Sequence, residues 1–325
     1  MCIRDRNRGD NTMSSFIFSL NATVPVFAVI VIGNLLCKIG LIDEHFASIS
    51  NKFVFRACLP CMIFLDLADT NIRQNFDAPY IGFCFIITLI SIVVIWLLAA
   101  KLMPDKSMVG AFVQGSYRSS AAILGVAFIQ NIYGTSGMAP LMIIGSVPLY
   151  NIFAVIILTF TSSDADKKGI RKACIGVLTN PIIIGIVLGM IASFFNIKFP
   201  GMVKKTISNM GVMTSPLALI SIGATFRGRE ALAKIKPTLG ASFIKLIGLA
   251  AVFMPLAIYM GFRDQKLIAL LIMLASPCTP ASYIMAKNMD GDAELASSIV
   301  VATTVLSAVT LTVWIFVLRS FGFVQ

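Results

Sequence analysis

Ten runs of about twenty apolar residues, parted by short polar segments, leave this chain few ways to fold. They cover roughly 16–37, 46–68, 80–100, 108–132, 139–160, 173–195, 207–226, 239–260, 267–286 and 295–318. At 1.5 Å of rise per residue, each is long enough to cross the ~30 Å hydrocarbon layer of a bilayer as a helix. Inside lipid a segment has no water to bond its backbone, so a lone apolar run of this length must satisfy its own N–H and C=O groups as a helix. Composition agrees: hydrophobic residues make up 58% of the chain, charged residues 13%, and mean hydropathy is +0.90. Soluble domains use about 45–50% apolar residues. The sequence predicts an all-α integral membrane protein of ten transmembrane helices, with the lipid bilayer as its surroundings.

The formal net charge of +11 is not that of a nucleic-acid partner, because the lysines and arginines lie between apolar runs instead of clustering on a soluble face. They read as orientation signals. One side of the membrane would carry Lys38, Lys101, Lys106, Lys167, Lys168, Arg171, Lys172, Arg227, Arg229, Lys234, Lys236 and Lys287. The other would carry Arg73, Lys198, Lys204, Lys205, Arg263, Lys266 and Arg319. Twelve against seven puts the first set in the cytoplasm of a multi-pass inner (plasma) membrane protein, with both termini outside. Residues 1–12, polar and rich in arginine, do not match the apolar chain after them: they read as a non-native leader, with Met13 as the natural start. Cys58 and Cys61 form a CxxC inside a span and read as small hydrophobes. His45, the sole histidine, sits at a helix entrance as a surface group, and no metal or cofactor site is indicated.

The chain also repeats itself. Pro25 and Pro181 are 156 positions apart, and so are Pro60 and Pro216. The expected division is a first five-helix repeat over 13–161, a cytoplasmic linker over 162–172 and a second repeat over 173–325. Five is odd, so the second copy would enter the membrane from the opposite side, giving inverted repeats.

Two of the ten runs are interrupted, the fourth and the ninth, in corresponding places of the halves. Within Gln114 to Gly125 lie Arg118 and the hydroxyls of Ser116, Tyr117, Ser119 and Ser120. An arginine at bilayer depth costs roughly 2.5–3.5 kcal/mol on the lenient insertion scale, so Arg118 should face a cavity or a partner. Two readings stay open for it: a substrate cavity, or a structural pair with a helix C-terminus or carboxylate. In the ninth run Pro277 and Pro280 each lack a backbone donor and cannot sit in an unbroken helix. Broken helices expose N–H groups at one half-helix start and C=O groups at the other, and half-helix starts favour anions. Ser119, Ser120, Thr279 and Ser282 add hydroxyls, so with Arg118 the centre suits a carboxylate better than a cation.

Asn151 and Asn180 are amides within spans that need partners at depth. Lys52, Arg56 and Lys245 lie near span ends and read as snorkelling side chains. Asp66 is the candidate for proton coupling, being the deepest carboxylate. No phosphate-binding Gly-x-x-x-x-Gly-Lys-Ser/Thr loop, HExxH motif or soluble nucleotide domain is present, so an enzyme is not expected and any transport would draw on gradients or potential.

From about residue 16 to 322 the chain resembles the auxin efflux carrier family. Asn51-Lys-Phe-Val followed by Leu59-Pro60 and Phe64 resembles its second-span pattern, and Gly125 with Tyr133-Gly134 the end of its fourth-span crossover. Pro277, Ala286-Lys287 and Gly291-Asp292 resemble its ninth-span signature. Ser120 stands where the family commonly has asparagine, and Ala127 where a proline is often found. The resemblance implies a bile-acid-transporter-like fold in which helices 4 and 9 cross at the substrate site. It further implies an elevator-type transport domain of spans three to five and eight to ten, a scaffold of the remaining spans, and a homodimer. The substrate it implies is a small organic anion such as malonate, malate or an auxin-like carboxylate, held by Arg118, Ser119, Ser120, Asn151, Pro277, Thr279, Pro280 and Ser282. The alternative is a sodium-coupled carrier of the bile-acid-transporter type.

Overall fold

The computed structural model describes residues 24–25, 28–68, 77–121, 129, 138–161, 175, 178–225 and 233–324. Every regular element among them is helical. In chain order they are α1 (Ala28–Lys38), α2 (Glu44–Ala68), α3 (Ala78–Leu102), α4 (Val109–Tyr117), α5 (Ala139–Thr161), α6 (Pro181–Phe194), α7 (Gly201–Thr225), α8 (Ile235–Tyr259), α9 (Asp264–Ala275), α10 (Ala281–Asn288) and α11 (Ala293–Ser320). Six of these, α2, α3, α5, α7, α8 and α11, are long and apolar enough to cross a membrane. The predicted leader, the 162–172 linker and the motif residues Gly125, Ala127, Tyr133 and Gly134 lie outside the described residues.

Helix starts follow from their capping residues. Asp43 accepts from Phe46 N–H (2.7 Å) to open α2, and Asp77 from Tyr80 N–H (3.1 Å) to open α3. Asn180 accepts from Ile182 N–H (2.9 Å) ahead of Pro181, so this expected helix-to-helix amide serves as an N-cap of α6. Asp292 caps α11 through Leu295 N–H (2.9 Å) and is paired with Lys234. Two spans carry a π-turn, Val54–Cys58 in α2 and Ile244–Gly248 in α8. In α2 the wide turn ends beside Pro60, which has no N–H to donate, so the helix passes the missing donor without breaking. The start of α7 at Gly201 corrects the expected span start near 207: Lys204 and Lys205 stand in its first turns, not in a loop.

The helices sort into two packed groups. One comprises α1, α2, α6 and α7, and the other α3, α4, α5, α8, α9 and α11, with α10 on the seam between them. In the first group glycines let backbones touch. A methyl group at Gly33 of α1 would lie 2.5 Å from the Ile220 carbonyl oxygen of α7, and one at Gly189 of α6 would lie 2.8 Å from the Phe64 carbonyl oxygen of α2. Gly33 and Gly189 are 156 positions apart, as are Phe64 and Ile220. Small residues at such crossings are what allow helices to pack closely where lipid supplies no hydrophobic drive. Gly33→Ala should therefore lower the thermal unfolding temperature in detergent. The crowding costs about 1–3 kcal/mol, more than the ~1 kcal/mol that alanine contributes in helix propensity. An unchanged or raised unfolding temperature would contradict the close approach.

Candidate functional site

The chain leaves helical geometry twice in the middle of the second group. α4 stops at Tyr117, and Arg118 takes an extended conformation while its N–H still caps Gln114 C=O (2.9 Å). α9 stops at Ala275, and Ser276 to Pro280 form a non-helical segment because Pro277 and Pro280 cannot donate. The two interruptions meet: Ser120 N–H donates to Pro277 C=O at 3.0 Å. Pro280 then precedes the first residue of α10, so a proline supplies the entry turn of that half-helix.

Lys245 corrects the expectation of a snorkelling side chain. It is 0% exposed and fills the focus of the two helix ends. Its Nζ donates to the carbonyls of Leu274 (2.9 Å), Met273 (3.1 Å) and Tyr117 (3.4 Å), and to Ser119 Oγ. These carbonyls sit at the C-terminal ends of α9 and α4, the negative poles of both helices, so the ammonium stands where the helix dipoles favour a cation. Ser119 Oγ in turn donates to Met273 C=O, as does Tyr150 OH (3.2 Å). Because Ser119 spends its proton on Met273, it accepts from Lys245, and the ammonium faces acceptors alone. The π-turn at Ile244–Gly248 surrounds this lysine, and such turns recur at functional positions.

Arg118 is likewise buried, 3% exposed. Its guanidinium donates to Asn151 Oδ1 (2.5 Å), Gln114 Oε1 (3.2 Å) and Met285 Sδ. Asn151 is fixed in turn by its own Nδ2 bond to Val147 C=O (2.9 Å). Among the described residues neither Arg118 nor Lys245 has a carboxylate partner; every acceptor is neutral.

A cavity of about 40 Å³ lies against these groups. Arg118, Ser119, Ser120, Asn151 and Thr279 line it from the second group, together with Ala121, Val147 and Tyr150. Met62, Ile63 and Asp66 of α2 close it from the first. Of the remaining predicted residues, Pro277 supplies the carbonyl that joins the breaks, and Ser282 is buried with its hydroxyl on Thr279 C=O (2.7 Å), turned to its own backbone. A wider cavity of about 620 Å³ is walled by Glu44 and Thr225 of the first group, by Tyr283 and Lys287 of α10, and by Asp290, Asp292 and Glu294. Tyr283 OH accepts from Asn51 Nδ2 (3.2 Å) and shares a hydrogen bond with Thr225 (3.0 Å), tying α10 to α2 and α7 of the first group.

Known proteins are similar to this sequence along nearly its whole length. The sequence profile described as membrane transport protein matches residues 18–172 and 167–315. An uncharacterized transporter from Methanothermobacter thermautotrophicus is 21% identical over 304 residues, covering 93% of this chain and 99% of that protein. A Rhizobium meliloti protein whose name proposes a malonate transporter is 22% identical over 309 residues, covering 91% of this chain and 95% of that one.

Proposed function

The chain belongs to the membrane transport protein family, that of the auxin efflux carriers, and from that premise we propose that it is a secondary carrier of a small organic anion. The observation that carries the reading is the pair of buried cations, Arg118 and Lys245, at the meeting of two interrupted helices, whose hydrogen-bond acceptors among the described residues are all neutral. Lys245 is compensated by two helix ends, whereas Arg118 rests on two side-chain amides and a thioether. A carboxylate bound at the cavity would complete the coordination of Arg118 with charge-assisted, two-pronged hydrogen bonds. The relative whose name proposes malonate is in keeping with a carboxylate of that size.

A cavity of about 40 Å³ has room for little more than a water or two, so a three-carbon diacid enters only if α2 and the interrupted helices separate. This supports an elevator-type motion in which the second packing group, holding both interruptions, moves against the first. The 156-residue offset shared by the Gly33–Ile220 and Gly189–Phe64 contacts, added to the proline offsets, supports inverted five-helix repeats and ten spans. Loop charges support termini on the non-cytoplasmic side. A homodimer rests on the family resemblance alone. Against the sodium-coupled alternative, the carbonyl focus where unwound helix ends hold a sodium ion in other carriers is occupied here by the Lys245 ammonium.

The test is uptake of labelled malonate, malate and indole-3-acetate into proteoliposomes, with proton or sodium gradients imposed. Saturable uptake of at least one carboxylate, unchanged when sodium is replaced by choline, is the expected result. No uptake of any of the three would remove the carboxylate assignment, and uptake that requires sodium would restore the alternative.

A further inference from the structure

If the protein is such a carrier, the charges along its helices decide how the moving group responds to membrane potential. From Val109 to Thr161 the only charged residue is Arg118. In α8 the charges are Lys236, the second residue, and Lys245, the eleventh. α3 carries only Lys101, one residue from its end, and α10 only Lys287, also one from its end. α9 has Asp264 and Lys266 in its first turn, while α11 has Glu294 and Arg319, each one residue from an end. Within the span interiors of the second packing group, then, two positive charges stand and no negative one.

The geometry around Lys245 favours its charged form. Three carbonyl oxygens and a serine oxygen whose own hydrogen points at Met273 C=O converge on Nζ. A neutral amine has two hydrogens and a lone pair that would confront an acceptor, whereas an ammonium has three hydrogens and no lone pair. The negative helix ends around it stabilise the charge locally but add no net charge to the group. Arginine keeps its charge in proteins.

We infer that the empty second group carries two fixed positive charges through the membrane field, that its return is the voltage-dependent step of the cycle, and that the charge-matched substrate is a dianion such as a dicarboxylate. Loaded with a dianion the group is neutral and crosses without regard to potential. Empty, it is drawn toward the negative side, so an inside-negative potential speeds export and slows import. For a tenfold potassium gradient clamped by valinomycin, two charges crossing the full field shift the balance between the two faces about a hundredfold.

The experiment compares two modes in the same proteoliposomes at neutral pH: net efflux of labelled malonate into malonate-free buffer, and malonate–malonate exchange, which skips the empty return. Net efflux should be roughly three- to tenfold faster with the interior negative than with it positive, while exchange stays within experimental error of constant. Lys245→Met, where it folds, should reduce the effect on net efflux to about its square root. Equal voltage dependence of the two modes, or none in either, would overturn the inference and leave the carrier reading intact. Absence of any saturable exchange would overturn the carrier reading, and this inference with it.

Discussion

Arg118→Ala should lose carboxylate transport, and Arg118→Lys should not restore it. The guanidinium bridges two separate amides, Gln114 Oε1 on its own helix and Asn151 Oδ1 on α5, and still faces the cavity. A lysine brings one nitrogen to a place where a planar fork is used, so it can serve one amide or the substrate, not all three. Removing one partner of a buried, hydrogen-bonded charge pair costs about 2–5 kcal/mol, so a loss of about 2–4 kcal/mol means anion affinity roughly thirty- to a thousandfold weaker. The measurement is the initial rate of labelled malonate uptake over a concentration series, with thermal unfolding recorded alongside to establish that the variants fold. Loss of transport is expected in a variant that still unfolds cooperatively, at a temperature lowered by the two amide oxygens left without their donor. Parental rates and half-saturation in Arg118→Ala would leave the arginine a purely structural role and move the substrate elsewhere.

What was legible in the residues depended on how strongly each signal departs from a uniform apolar helix. Pro277 and Pro280 cannot be helical in series, and Arg118 cannot face lipid, so the two interruptions can be read from residue type alone. Their direct meeting through Ser120 and Pro277 joins residues more than 150 positions apart, and only the fold brings it about. Lys245 escapes the residue pattern for a reason of register: the apolar run begins at Leu239, which makes the lysine look close to a span end. The helix starts at Ile235, so Lys245 is nearly midway along a 25-residue span. Counting from the polar, proline-marked start Ile235-Lys-Pro-Thr places it at depth. Tyr150 and Gln114 give no such signal, since a tyrosine or glutamine in a span is ordinary until its hydrogen-bond partner is known. Ser282 is a hydroxyl of the expected type in the expected turn whose donation, to the Thr279 carbonyl, is visible only in the fold.

Replacing Lys245 tests whether that buried ammonium holds the crossing together. In Lys245→Met the Leu274 and Tyr117 carbonyls lose their side-chain donor, while Met273 keeps Ser119 and Tyr150. An orphaned buried acceptor costs about 1–3 kcal/mol, so a net loss of about 2–4 kcal/mol is expected after allowing for release of a desolvated charge. Lys245→Ala goes further, leaving an ammonium-sized space lined by carbonyl oxygens and a serine hydroxyl at the negative ends of two helices, the chemistry that holds a monovalent cation. Thermal unfolding in sodium, potassium and choline chloride separates the possibilities. The parent should unfold at one temperature in all three salts. Lys245→Ala should unfold several degrees lower in choline and regain part of the difference in sodium or potassium, whereas Lys245→Met, whose side chain fills the space, should not respond. If all three proteins unfold alike in every salt, the ammonium contributes nothing to the crossing, and the fixed charge that makes the empty group voltage-sensitive would have to be sought at Arg118 alone.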